Sequence, residues 1–162
     1  MQWYVLQLTS FIQNSLTIGT AESLTGGAIA KAISSVPGSS RYFRGAIVAY
    51  AEDVKVSVLG VSAQTIADKG IVSEEVVVQM AQGCRKVLNV DFAIATSGIA
   101  GPGGGTIETP VGTVCISIAG PGFCESWTTS FEGDREAVVE AVVLKTFDYI
   151  EETVKRHVVS VG

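Results

Sequence analysis

The chain has 162 residues, 47% of them hydrophobic and 17% charged, so it is long enough to bury a sizeable core within one domain. Its formal net charge of −5 argues against a nucleic-acid-binding surface, which would need clustered lysine and arginine. We expect neither a transmembrane helix nor another membrane association, because no run of about 18 apolar residues occurs.

Apolar residues with helical spacing predict an N-terminal helix over residues 2–14. Its expected core contacts are Trp3, Leu6, Phe11 and Ile12. A strand over residues 16–21 follows. The stretch TAESLTGG then forms a turn that carries an acid, two hydroxyls and two glycines, and a helix follows from about Leu24 to Ser34.

The middle of the chain continues this alternation. The mostly apolar segment Tyr42–Tyr50 predicts a strand in the centre of its sheet. AEDVKVSVLG predicts a short helix that stops at the glycine, and Ser62 is the expected cap of another helix. Ser73, followed by two glutamates, is a favourable N-cap for a longer helix that ends near Leu88.

The last third of the chain predicts three strands and a helix. DFAIATS indicates a buried strand, and a long glycine-rich loop, GIAGPGGGTIETP, follows it. GTVCISIA and ESWTTSFE predict an antiparallel pair at one edge of the sheet, and the final helix spans about Glu136 to Arg156. Together the elements predict an α/β fold, a three-layer α/β/α arrangement with a mixed sheet, in a single domain over residues 1–162.

Residues that bind metals or form disulfides are few. The three cysteines are odd in number and widely spaced, and the single histidine, His157, lies near the C-terminus. We therefore expect no metal, no cofactor and no disulfide framework, but buried thiols in a reducing cytoplasm. The N-terminal segment lacks a basic region and a small-residue cleavage site, so we expect no signal peptide and a cytoplasmic location.

Polar side chains gather after three of the predicted strands, at the end where ligands bind in open α/β sheets. They are Glu22, Ser23 and Thr25; Tyr50, Glu52, Asp53 and Lys55; and Thr96, Ser97 and the glycine loop. Taken alone, a serine at such a turn is more often a helix cap, and a lysine on a short helix is usually solvated. The loop GPGGGT lacks the ending of a P-loop and the helix of a dinucleotide fingerprint, so it is either a mobile surface loop or a lid over a ligand.

Three segments together resemble the C-terminal domain of the competence/damage-inducible CinA family: TAESLTGG, GSSRYFRGAIVAYAEDVK and SGIAGPGGGTIETPVGT. The likeness runs in order from about residue 14 to residue 150. Stand-alone members of that family are nicotinamide-nucleotide amidases. The resemblance therefore implies a metal-free serine/lysine hydrolase that converts nicotinamide mononucleotide, a small nucleotide substrate, into nicotinic acid mononucleotide and ammonia.

The family domain often follows a nucleotide pyrophosphatase domain, which this sequence does not contain, so we expect an independent enzyme. The rival interpretations are a catalytically idle ligand-binding or partner domain and a phosphate-binding regulator. Family members usually have Cys where Leu24 stands, and Ser-Asn-Glu at residues 51–53, which bears on substrate affinity. The high apolar content and the aromatic residues Trp3 and Tyr4 also lead us to expect a homo-oligomer.

The resemblance carries its polar residues over to Ser23, Ser40, Tyr50, Lys55, Ser97 and Arg135. Of these, we expect Ser23, Ser40, Tyr50 and Lys55 to be catalytic. The expected substrate-binding residues are Glu22, Thr25, Gly26, Gly27, Ser97, Gly98, Gly101, Gly103, Gly104 and Arg135.

The chemistry requires Lys55 to be neutral, because only an uncharged amine can take the proton of a serine. Lowering the pKa of a lysine from ~10.4 to ~7 disfavours the ammonium by roughly 4–5 kcal/mol, which burial can supply. The carboxylate of Glu52 opposes this shift because it lies three positions before Lys55 on the same predicted helix. The hypothesis therefore needs Glu52 to point to solvent.

Which serine attacks depends on the sheet. Ser23 lies where a strand meets a helix, and backbone N–H groups near Gly26 and Gly27 can support an oxyanion there. If the first two strands are parallel, the connection that carries Ser40 lies at the opposite end of the sheet, unless the GSS turn folds back over the sheet.

Two further residues each have two possible roles. Tyr50 either relays a proton or packs in the core. Arg135 either holds the substrate phosphate or belongs to a helix cap, and loop N–H groups are a further phosphate site.

Overall fold

The computed structural model describes residues 3–158 of the chain, with side chains from Leu6 onward. The helices are α1 (Trp3–Gln13), α2 (Ala28–Ser34), α3 (Glu52–Ser57), α4 (Ala63–Lys69), α5 (Glu74–Leu88) and α6 (Arg135–His157), with a short 3₁₀ helix at Ser39–Arg41. The strands are β1 (Ile18–Glu22), β2 (Phe43–Val48), β3 (Phe92–Gly98), β4 (Thr113–Gly120) and β5 (Phe123–Ser130). Apart from the start of α2, these bounds lie within two residues or so of the elements that the sequence predicts.

The five strands form one mixed sheet in the order β2-β1-β3-β4-β5. Strand β1 runs parallel to β2 and β3, whereas β4 is antiparallel to both of its neighbours. The predicted antiparallel pair at one edge is therefore confirmed. Because β1, β2 and β3 point the same way, the segments that follow them meet at one edge of the sheet.

Two apolar cores, one on each face of the sheet, confirm the three-layer α/β/α arrangement. Successive residues of β3 alternate between them, since Ile94 packs with α1, α2 and α6 while Ala93 and Ala95 pack with α4 and α5. The small residues of β3 leave room for α5, whose Val77 and Met80 are fully buried. The central strand β3 is thus covered on both of its faces.

Strand β2 is an edge strand, so its predicted central position is wrong. Its burial alternates along the chain, with Arg44, Ala46 and Val48 exposed and the residues between them half-buried. A run of apolar residues cannot by itself separate a central strand from an edge strand that is covered on one face. The strand order was the missing information.

Helix α1 packs against the core through Leu8 and Phe11, and Ile12 packs at its margin. The prediction for Leu6 is wrong, since that side chain is 77% exposed, and Leu8 takes the core position instead. The predictions for the side chains of Trp3 and Tyr4 lie outside the described residues. The expected homo-oligomer therefore stays a prediction.

The turn between β1 and α2 is longer than the sequence predicts, because α2 begins at Ala28 rather than near Leu24. Gly26 and Gly27 have φ angles of 57° and 102°, in the left-handed region that favours glycine. Such residues cannot continue a right-handed helix. The turn therefore stays open around Ser23 and Leu24. No helix in the described part of the chain is long and apolar enough to cross a membrane.

Candidate active site

Ser23 and Lys55 lie in direct contact at the carboxyl edge of the parallel strands. Ser23 follows β1 directly, and Lys55 stands on α3, the short helix that follows β2. The Lys55 Nζ atom lies 2.9 Å from Ser23 Oγ, 2.8 Å from the carbonyl oxygen of Ala49 and 3.0 Å from that of Tyr50. Two adjacent parallel strands thus bring together two residues that are 32 positions apart.

Lys55 is buried, with 1% of its surface exposed, although α3 is short and flanked by exposed residues. Burial lowers the pKa of its ammonium below the ordinary value, and the carboxylate of Glu52 partly opposes that shift. Glu52 itself is exposed, as the sequence hypothesis requires. Its charge still acts on Lys55 through water and protein, but more weakly than a buried carboxylate would.

A cavity of about 320 Å³ opens above this pair. The predicted site residues that line it are Ser23, Tyr50, Lys55, Ser97, Gly98, Gly101, Gly103, Gly104 and Arg135. An apolar wall of Leu24, Ile71, Val72, Ile99 and Ala100 completes the lining. The sequence does not predict that Ile71 and Val72 line the cavity, because they lie in the connection between α4 and α5. The packing of α5 on the sheet brings this connection to the cavity.

Arg135 spans the mouth of the cavity. Its guanidinium donates to the Gly101 carbonyl oxygen at 2.9 Å and to the Tyr50 hydroxyl at 2.7 Å. Tyr50 is 58% exposed, so it is not a core residue. The capping role at the start of α6 falls to Asp134, whose carboxylate accepts from the Ala137 N–H at 2.9 Å. Arg135 is therefore free to face the cavity.

The structure does not bring Ser40 to this site, so its predicted place there is wrong. Strands β1 and β2 are parallel, and Ser40 precedes β2 in the 3₁₀ helix at the amino edge of the sheet. Ser40 is exposed, whereas Ser23 is buried at the carboxyl edge beside Lys55. The GSS turn does not fold back over the sheet.

Glu22 and Thr25 lie beneath the cavity rather than in its lining, which corrects their predicted role in substrate binding. Glu22 is fully buried, and its carboxylate accepts hydrogen bonds from the Ile29 and Ala30 N–H groups, each at 2.9 Å. The Thr25 hydroxyl donates to Glu22 Oε1 at 2.7 Å. The sequence pattern carried one signal for this outcome, since an acid shortly before a helix can cap its first turn.

Gly26 and Gly27 also lie outside the cavity lining, and their contact with substrate stays a prediction. The Gly26 N–H donates to the Ser23 carbonyl oxygen at 3.0 Å, so it is already engaged within the turn. Gly27 occupies the N-cap position of α2 in a left-handed conformation. Both glycines serve the shape of the turn.

The glycine-rich loop and Ser97 form the far side of the cavity. The Ser97 hydroxyl donates to the Ile71 carbonyl oxygen at 2.9 Å and so ties β3 to the apolar wall. Residues 102–108 of the loop are exposed, and Gly103 has open space where a side chain would stand. A bound molecule can therefore approach the backbone of the loop closely.

The described residues contain no group of His, Cys, Asp and Glu side chains that could hold a metal ion. Cys84 and Cys115 are buried and Cys124 is half-buried, all three as free thiols. Burial, together with the charge of Glu22, raises the pKa of Cys84 to about 12, so its thiol is unreactive. None of the three cysteines lines the cavity, whereas the hydroxyls of Ser23, Tyr50 and Ser97 and the amine of Lys55 belong to residues that do.

The sequence of this fold and site matches a known family. The family model of the CinA C-terminal domain matches residues 5–154. The chain belongs to the CinA family. A CinA-like protein from Fervidobacterium nodosum is 45% identical to it over 139 residues, which are 86% of this chain and 34% of that protein. A CinA-like protein from a Synechococcus strain is 47% identical to it over 134 residues, which are 82% of this chain and 32% of that protein.

The chain spans about a third of the length of these curated relatives. Solved structures of the CinA superfamily match it over nearly its whole length. One from Klebsiella pneumoniae has a TM-score of 0.92 at 33% identity and covers 96% of this chain and 97% of that chain. The competence/damage-inducible protein CihA from Agrobacterium tumefaciens has a TM-score of 0.89 at 34% identity, with 92% of each chain covered.

Proposed function

We propose that this CinA-family chain is a nicotinamide-nucleotide amidase, with Ser23 as nucleophile and Lys55 as general base. It would hydrolyse the carboxamide of nicotinamide mononucleotide to nicotinic acid mononucleotide and ammonia. The contact between a buried lysine amine and a serine hydroxyl at 2.9 Å carries the proposal. Such a pair is an activated nucleophile within reach of its base.

The three oxygen partners of Lys55 Nζ can be satisfied in both protonation states. An ammonium donates to all three, namely to Ser23 Oγ and to the carbonyl oxygens of Ala49 and Tyr50. A neutral amine has two N–H donors and one lone pair, so it donates to the two carbonyl oxygens and accepts from the Ser23 hydroxyl. In that state the hydroxyl proton points at the base that removes it. Burial favours this state by lowering the pKa of Lys55.

The reaction then proceeds in two balanced halves. Lys55 takes the Ser23 proton as Oγ bonds to the carboxamide carbon, and the resulting ammonium returns that proton to the departing nitrogen. The C–N bond breaks, ammonia leaves and an ester to Ser23 remains. Lys55, neutral again, takes one proton from water as the water oxygen attacks the ester carbon, and it returns that proton to Ser23 Oγ as the ester C–O bond breaks. The product leaves as the carboxylic acid, which loses the second water proton to solvent and becomes the carboxylate.

The remaining cavity residues suit the other parts of this substrate. The apolar wall with Leu24 and Ile99 can contact the pyridine ring, whose positive charge disfavours the ammonium form of a nearby lysine. Arg135 can form a charge-assisted hydrogen bond with the phosphate, and the open backbone at Gly103 and Gly104 can approach the same group. Tyr50, held by Arg135, can order a water or relay a proton at the mouth.

The direct test measures ammonia released from nicotinamide mononucleotide by the purified chain and by Lys55→Ala. We expect turnover by the wild type and a loss of about 100- to 10,000-fold in Lys55→Ala, the usual contribution of a general base. Equal turnover by both proteins would rule out Lys55 as the base. Binding of the nucleotide by the wild type without any release of ammonia would instead support the idle ligand-binding domain.

A further inference from the structure

The side chain of Glu22 is the centre of a buried network beneath Ser23. Four donors converge on its carboxylate: Oε1 accepts from the Thr25 hydroxyl and the Ile29 N–H, and Oε2 accepts from the Thr20 hydroxyl and the Ala30 N–H. All four distances lie between 2.7 and 3.0 Å. Every partner is a donor, so both oxygens act only as acceptors, which is what a carboxylate provides.

The network reaches the backbone of Ser23 through two threonines. The Thr25 hydroxyl gives its one proton to Glu22, so the Thr96 hydroxyl, 2.9 Å away, must donate to Thr25. Thr96 Oγ1 is then free to accept from the Ser23 N–H at 3.4 Å, which also donates to the Thr96 carbonyl oxygen at 3.1 Å. The chain of donors thus runs in one direction, from Ser23 to Glu22.

Glu22 is also linked to the base. Its carbonyl oxygen accepts from the Ala49 N–H at 2.9 Å, and the Ala49 carbonyl oxygen accepts from Lys55 Nζ at 2.8 Å. One residue therefore contacts the backbone that carries the nucleophile and the backbone that holds the amine. A shift of either would change the 2.9 Å contact between Ser23 Oγ and Lys55 Nζ.

We propose that Glu22 is a positioning residue that aims Ser23 at Lys55, and that it does not bind substrate. This proposal refines the amidase mechanism and rests on Ser23 being its nucleophile. A buried carboxylate is retained only where hydrogen bonds replace its hydration, and here those bonds join β1, the turn and the start of α2. Orientation of a nucleophile to within a fraction of an ångström is worth a large factor in rate.

Glu22→Gln is the most informative variant. It keeps the shape of the side chain but replaces one acceptor oxygen with an NH₂ group, which can only donate. In either orientation of the amide, its NH₂ group faces one hydroxyl donor and one backbone N–H donor. The hydroxyl can turn, but the backbone N–H of Ile29 or Ala30 cannot. The turn must therefore shift to relieve the contact between two donors.

The main measurement is the rate at which a fluorophosphonate reagent labels Ser23, followed by mass spectrometry. Thermal unfolding is measured for each variant, as are kcat and KM for nicotinamide mononucleotide. The variants are Glu22→Gln, Thr25→Val and Thr25→Ser. The matched control is Thr146→Val, which removes a fully buried hydroxyl that bonds the Val142 carbonyl oxygen of its own helix, α6.

We expect folded Glu22→Gln to label Ser23 roughly 10- to 100-fold more slowly than the wild type, with kcat reduced in proportion and KM little changed. Thr25→Val should lose part of the rate and Thr25→Ser should restore it, while Thr146→Val labels at the wild-type rate. If Glu22→Gln does not fold, the difference between Thr25→Val and Thr25→Ser decides the question.

Wild-type labelling by folded Glu22→Gln would overturn the proposal, as would equal losses in Thr25→Val and Thr146→Val. A wild-type Ser23 that the reagent does not modify would also overturn it, because no aimed nucleophile would exist. A wild type that is labelled at Ser23 but releases no ammonia would contradict the amidase assignment and leave the positioning role of Glu22 standing.

Discussion

The two ends of the parallel strands β1 and β2 offer a direct comparison, because each carries a serine beside a glycine-containing turn. At the carboxyl end, Ser23 is buried and contacts the amine of Lys55 at 2.9 Å. At the amino end, Ser40 is exposed in a 3₁₀ helix that also presents Arg41 to solvent. The residue type is the same at both ends, and the surroundings differ.

That difference shows what a serine needs beyond its hydroxyl. A lysine in water keeps its proton, so a serine on an exposed turn gains no base even when a lysine is near. At the carboxyl edge, burial removes water from Lys55 and its pKa falls. The two edges of the sheet therefore give a serine hydroxyl different surroundings, and the carboxyl edge places that of Ser23 against a buried amine.

The largest effect should come from removing the two serines in turn. We expect Ser23→Ala to lower kcat for nicotinamide mononucleotide about 1,000-fold or more, because the group that attacks the amide is lost. Ser40→Ala should stay within about twofold of the wild type, as most surface substitutions do. A colorimetric ammonia assay measures both. Comparable losses of kcat in the two variants would contradict the difference drawn between the two edges of the sheet.

The next effect concerns the phosphate. We expect Arg135→Ala to raise KM for nicotinamide mononucleotide roughly 10- to 100-fold, since a hydrogen bond to a charged group contributes about 1.5–3 kcal/mol. Nicotinamide riboside, which lacks the phosphate, serves as the control substrate and should respond little to the same change. Equal losses with both substrates would mean that Arg135 acts on the amide or only supports Tyr50, to which it donates.

The smallest effect tests the electrostatics around Lys55. The negative charge of Glu52 raises the pKa of Lys55, so Glu52→Gln should lower that pKa and leave the amine neutral at lower pH. The acid limb of the profile of kcat/KM against pH should therefore move to lower pH. Asp53→Asn changes the neighbouring carboxylate on the same helix and should move the limb less. A limb that moves upward in Glu52→Gln would contradict the assignment of Lys55 as the base.

Much of this architecture could be predicted from periodicity and capping, and Ser62 and Ser73 cap their helices as expected, each accepting a backbone N–H. The strand order could not be predicted in this way, because it depends on how the helices cover the sheet rather than on the local pattern of apolar and polar residues. For this reason the sequence alone predicts a central position for β2 and keeps Ser40 as a candidate. The strand order corrects the first, and the parallel pairing of β1 and β2 corrects the second.

The site shows the same limit. The approach of Ser23 and Lys55 follows from two parallel strands, so it could be anticipated once the carboxyl edge was suspected. The burial of Glu22 could not be anticipated. An acid beside two hydroxyls and two glycines is as typical of a ligand-binding loop as of a buried carboxylate that caps a helix. Only the positions of Ile29 and Ala30 N–H groups distinguish the two.

The most direct measurement is the titration of the Lys55 amine itself, by nitrogen-15 NMR of the lysine side chains, with Lys55→Met to assign its signal. A midpoint below ~10.4, the usual value for lysine in water, is the expected result, since burial disfavours the ammonium. A midpoint at or above that value would show an amine that keeps its proton beside Ser23, and it would contradict the Ser23–Lys55 mechanism.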